Sequence, residues 1–139
     1  MRIYLVMSLC LFCVNVYCND NRDSPAFFDR VVEKCSSNHR LDKNEARKII
    51  SAVRRNAHTD DEKCMLSCYM KERGFFFNGR VNWDRIFVPV SLMLSSEQER
   101  KRTMEEFQNC DRKLGYGTRN DCEIAYDALV CYENVMLIN

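Results

Sequence analysis

The chain has 139 residues, 46% apolar and 29% charged, with 21 basic and 20 acidic side chains. That length suits one domain with a real core, and four glycines and two prolines exclude a fibrous or low-complexity chain. A formal charge of +1 gives no electrostatic basis for nucleic-acid binding, and nine cysteines, an odd number, need separate explanation.

The amino terminus accounts for the odd number. Arg2 gives a positive start, and Ile3 to Tyr17 is apolar except for Ser8 and Asn15. Small residues, Val16 and Cys18, precede the abruptly polar Asn19-Asp20-Asn21. Residues 1–18 therefore read as a secretory signal peptide cleaved after Cys18, too short in its apolar stretch for a bilayer span. Cleavage discards Cys10, Cys13 and Cys18 and leaves one domain, 19–139, with six cysteines and 20 basic against 20 acidic side chains. A secreted, extracellular chain with an even number of cysteines predicts a disulfide framework. No Asn-x-Ser/Thr sequon occurs.

The mature chain reads as helices end to end, without strand-like alternation. Ser24-Pro25 caps a first helix carrying Phe28, Val31, Val32 and Cys35 at helical spacing. A second starts near Asp42, with Ala46, Ile49, Ile50 and Val53 on one face. Thr59-x-x-Glu62 is a capping box for a third through Cys64, Met65, Cys68 and Tyr69, stopped at Gly74. Asn78-Gly79 marks a turn. Trp83, Ile86, Phe87, Val90 and Leu94 form a fourth stripe, bent by Pro89. Ser96-x-x-Glu99 opens a charged fifth helix with Met104, Phe107 and Cys110 inward. Asn120-x-x-Glu123 caps the last, whose Cys122, Ala125, Tyr126, Leu129 and Val130 form an apolar face leading into the tail Val135 to Ile138.

Helix geometry limits the cysteine pairings. Cys64 and Cys68 lie one turn apart, with Cβ atoms ~5–6 Å apart, too far to bond each other. Cys122 and Cys131 fall ~13.5 Å apart along a continuous helix. Ten of the fifteen possible connectivities survive these two exclusions.

The spacing Cys35-x28-Cys64-x3-Cys68-x41-Cys110-x11-Cys122-x8-Cys131 closely resembles insect odorant-binding proteins of the pheromone-binding and general odorant-binding type. Gly74 to Val81 is similar to that family's segment after the third cysteine. The resemblance covers the whole mature chain. It implies an all-α, compact six-helix domain, stapled by Cys35–Cys68, Cys64–Cys122 and Cys110–Cys131 around an internal hydrophobic cavity.

The expected function is that of a carrier binding small hydrophobic ligands such as odorants, pheromones, or fatty-acid-like and terpenoid molecules. The other reading is a secreted effector, of venom or saliva type, using the same scaffold as a binding surface. Catalysis is not expected: paired cysteines leave no free thiol, and no Gly-x-Ser-x-Gly, phosphate loop or His-Glu-x-x-His occurs. No cofactor or metal is expected, and His39 and His58 read as solvated loop residues. The expected partner is the small ligand, with a membrane receptor or a second copy as homodimer as further candidates, and neither nucleic acid nor membrane insertion.

Candidate pocket residues begin with the aromatic cluster Phe75, Phe76, Phe77, Trp83 and Phe87, because three consecutive rings after a helix stop cannot all enter one packed face. Inward positions Phe28, Ile50, Val53, Phe107, Leu129 and Val130 join them. Tyr126 and Tyr132 each add a ring with a hydroxyl for one ligand hydrogen bond. Val135 and Leu137 belong to a tail read as a wall or lid, or else as a packed terminus. Arg54-Arg55 reads as a solvated helix face.

Overall fold

The computed structural model describes residues 22–138; the proposed signal peptide and its cleavage site lie outside them. The chain divides into an amino-terminal unit, of which residues 22–30 are described, and a second unit from Val31 onward. Helix α1 (Pro25–Asn38) begins in the first and ends in the second. In the first, Ser24 Oγ accepts the Phe27 N–H at 3.2 Å, the expected cap.

The second unit continues with α2 (Lys43–Ser51), α3 (Val53–Asn56), α4 (Asp60–Glu72), β1 (Phe76–Phe77), β2 (Arg80–Val81), α5 (Trp83–Ser91), α6 (Glu97–Lys113) and α7 (Asp121–Ile138). The fold is all-α, with seven helical segments among the described residues rather than six. The extra segment arises at Ala52, where φ −155° and ψ 74° break the second expected helix in two. A second difference is the antiparallel ribbon β1–β2, pairing Phe76 with Val81 and Phe77 with Arg80. Asn78 and Gly79, both at positive φ (50° and 72°), make the tight turn, so two residues per strand pair without any alternating run.

Local chemistry starts most helices. Asp42 accepts the Asn44 and Glu45 amides, and both predicted capping boxes, Thr59/Glu62 and Ser96/Glu99, are complete. Burial raises the Glu62 pKa, but the His58 and Thr59 amides more than offset this and hold its carboxyl below the ordinary value. At the end of α4 the Phe75 amide donates to Met70 and the Gly74 amide to Lys71, with Gly74 at φ 74°. That is a Schellman stop, and it sets the direction in which Phe75 leaves the helix.

Helix α7 occupies the middle, packed against α4, α6 and α3. Close approach is possible because its inward positions include Ala125 and Ala128, both inaccessible to solvent, beside Ile124. Its neighbours contribute Met65, Leu66 and Met70 from α4 and Phe107 from α6. Two disulfides fasten α7 from opposite flanks: Cys64–Cys122 to α4 and Cys110–Cys131 to α6. Cys35–Cys68 ties α1 to α4. This is the pairing the resemblance implies, with Cα separations of 5.6, 4.4 and 6.0 Å. Ion pairs Lys34–Glu72 (2.7 Å) and Lys71–Asp121 (2.6 Å) lie over the same junctions, but as exposed pairs they add little.

Candidate ligand-binding cavity

A cavity of about 310 Å³ opens where α2, α3, α4, α5 and α7 converge. Ile50, Val53, Phe75, Ile86, Pro89 and Leu129 give it apolar walls; Tyr69, Tyr132, Ser51, Arg73 and Glu133 add polar atoms. Each wall is placed by local geometry. The break at Ala52 turns Val53, the Schellman stop delivers Phe75, and Leu129, Tyr132 and Glu133 share one face of α7 at i, i+3 and i+4. Pro89 sits inside α5, where it donates no hydrogen bond and presents a carbon ring to the cavity.

Two polar side chains are spoken for. Glu133 accepts the Val53 N–H at 2.5 Å and the Arg54 N–H at 3.2 Å, one on each carboxylate oxygen, and so caps α3. The Arg73 guanidinium lies over the rings of Tyr69 and Phe75, 6.0 and 5.2 Å from their centroids. Tyr132 is different: its hydroxyl makes no hydrogen bond with the described residues, and burial pushes its pKa up.

A wider groove of about 740 Å³ lies on the other side of this wall. Ser51, Tyr132 and Glu133 line both spaces; Ala52, Arg54, Arg55, Met136 and Leu137 complete the groove.

These helices enclose the right kind of space for a small apolar molecule, and the sequence profile of the PBP/GOBP family matches residues 20–135. The chain belongs to the PBP/GOBP family. Members are the insect odorant- and pheromone-binding proteins, binding proteins rather than enzymes. No curated protein and no solved structure gives a significant match. Among the described residues, no group of three His, Cys, Asp or Glu could hold a metal ion. No helix among them is long and apolar enough to cross a membrane.

Within this PBP/GOBP fold the sequence-selected residues separate into three groups. Ile50, Val53, Phe75, Leu129 and Tyr132 line the cavity, and Tyr132 and Leu137 line the groove. A second group forms a ring stack beside it: Phe107 stacks on Trp83 at 5.2 Å and on Tyr132 at 5.9 Å, with Phe87 edge-on at 6.3 Å. Phe107 is fully buried, and Trp83 is held in place by its indole N–H, which donates to Asp111 at 3.0 Å. These three rings are packing behind the cavity rather than its lining.

The remaining residues lie elsewhere. Pairing in the ribbon sends Phe76 into the core and leaves Phe77 71% exposed, because neighbouring strand residues face opposite ways. Val135 is buried, whereas Val130 and Tyr126 are half-buried, the latter under Lys63 at 5.1 Å. Phe28 belongs to the amino-terminal unit.

Ser51, Tyr69, Arg73, Ile86, Pro89 and Glu133 enter the wall without having been named as pocket residues. Periodicity offered a signal for some of them. Arg73 follows Tyr69 by one turn, as Glu133 follows Leu129, but an apolar-stripe criterion passes over charged residues.

Proposed function

We propose that the chain is a secreted carrier that reversibly takes up a small hydrophobic ligand in the cavity between α2, α3, α4, α5 and α7. The observation that carries this reading is the cavity itself, two of whose wall helices, α4 and α7, are cross-linked by Cys64–Cys122, with a Tyr132 hydroxyl that has no hydrogen-bond partner among the described residues. Apolar walls with few polar groups favour ligands that leave water at ~25 cal/mol per Å² of apolar surface. Cross-linked walls keep the ordering cost of binding low. Tyr132 supplies one hydrogen bond to a ligand oxygen and sets orientation. Affinity in the micromolar range, ~8 kcal/mol, is expected.

Displacement of N-phenyl-1-naphthylamine, a neutral fluorescent probe, tests this on the oxidised protein. The expected result is saturable probe binding reversed by odorant-sized alcohols and terpenoids. Absence of probe binding between pH 5 and 8 overturns the carrier reading.

A further inference from the structure

The inner cavity is small. At about 30 Å³ per water-sized atom, the volume in the liquid, 310 Å³ holds roughly ten heavy atoms. A longer chain has to emerge, and the wall shared with the groove, at Tyr132 and Ser51, is where the two spaces adjoin. Beyond it the groove offers apolar surface from Ala52, Met136 and Leu137, of which Leu137 is 83% exposed.

The side chains lining the groove are net positive. Arg54 and Arg55 stand at its rim. Arg54 is oriented by a neutral partner, its Nη1 donating to Asn134 Oδ1 at 3.4 Å, and Arg55 makes no ion pair with the described residues. Among the described residues Glu133 is the one acidic side chain in the groove wall, and both its oxygens already accept backbone amides. The side chains lining the trough therefore carry two positive charges against one negative, and the negative one is already engaged by backbone amides.

We propose that cavity and groove form one two-chamber site for a long-chain carboxylate, its alkyl end inside and its carboxylate held at the rim by Arg54 and Arg55. This rests on the carrier reading and narrows its expected ligands to one class, with a named pair of side chains for the head group. A carboxylate suits the rim because guanidinium N–H groups match its two oxygens. The alkyl chain covers Met136 and Leu137 where it crosses the groove.

The test compares a C14 carboxylate with its methyl ester, and a C8 carboxylate with its ester, as displacers of N-phenyl-1-naphthylamine below micellar concentrations. Wild-type protein is expected to prefer the C14 carboxylate over its ester about fivefold, the scale of an exposed charge contact beside an apolar wall, and to show no such preference at C8. Raising salt from 20 to 500 mM should shrink the C14 preference. In Arg54→Gln/Arg55→Gln the carboxylate-to-ester ratio should fall to about one. That ratio is internal to each protein, so a partial loss of folded material cancels, and the wild-type salt and chain-length arms stand if the variant does not fold. Equal affinity for C14 acid and ester in wild type, or an undiminished ratio in the variant, overturns the proposal. Because the ester and the probe are neutral, their binding without an acid preference sinks the two-chamber assignment alone, whereas failure of the probe itself to bind sinks the carrier reading.

Discussion

Glu133 and Val53 lie eighty residues apart in the chain and 2.5 Å apart in the fold, carboxylate oxygen to amide nitrogen. The contact supplies the cap that α3 lacks locally, since its N-cap residue is Ala52 and makes no side-chain hydrogen bond. Glu133→Ala should destabilise the protein by about 1–2 kcal/mol, the scale of a lost N-cap, and Glu133→Gln by less, because an amide oxygen still accepts. Urea denaturation with disulfides intact measures both. Equal losses in the two variants would show that the contact acts by something other than accepting amides.

Phe107 stands between Trp83 and Tyr132, so it couples the core to the cavity wall. Phe107→Ala is expected to cost about 3–5 kcal/mol. Trp83 is the sole tryptophan, so its emission should shift to the red in the same variant as the stack opens. Phe107→Leu, which keeps most of the volume, should retain more of both stability and emission.

Tyr116 donates its hydroxyl to Asp111 at 2.5 Å and accepts the Val81 amide at 3.3 Å, tying the ribbon to α6. Burial, reinforced by the hydrogen bond to Asp111, pushes its pKa up to about 12. The unfolded chain loses this proton near pH 10 while the folded protein keeps it. The contribution is thus complete below pH 10 and is lost as pH climbs from about 10 to 12. Stability measured across that window should fall more steeply for wild type than for Tyr116→Phe. Parallel slopes would count against the assignment.

The disulfides close loops of different length: Cys64–Cys122 spans 58 residues and Cys110–Cys131 spans 21. Loop entropy predicts that replacing the first pair by alanines costs about 1 kcal/mol more than replacing the second. Denaturant midpoints of the two double variants provide the comparison, with the reverse order refuting a dominant entropic contribution.

Gly74 holds φ 74°, where a side chain costs about 1–2 kcal/mol. Gly74→Ala should lose about that much stability and, by shifting Phe75, weaken probe binding in the cavity. A stability loss with unchanged probe affinity would mean that the stop does not position the Phe75 wall.

Much of the scaffold was legible because its signals are local. A capping box or a glycine stop involves residues within one or two turns, so Thr59, Glu62, Gly74, Ser96 and Glu99 read correctly from spacing alone. Asn78-Gly79 marked its turn, but the ribbon it joins was too short to show alternation. For the cavity, Ile50, Val53, Leu129 and Tyr132 stood out as apolar or aromatic residues on helical faces, and Phe75 as the first of three rings after a helix stop. Phe77 and Trp83 carried the same signal and went elsewhere, one to solvent through strand pairing and the other to Asp111 through its indole.

The sequence by itself determined a helical chain of the PBP/GOBP type with six cysteines at that family's spacing, because cysteine spacing, caps and apolar periodicity survive without knowledge of the fold. Tertiary structure alone decided where that chain has a cavity. Nothing near Ala52 in the sequence announces a break; α3 exists as a separate turn with Glu133, eighty residues away, as its cap. The same distant contact brings Arg54 and Arg55 to the rim of an apolar groove, turning what reads as a solvated basic pair into part of a candidate site. Local propensity acts over a few residues, whereas a wall built from five helices depends on which side chains α7 meets when it is clamped between α4 and α6.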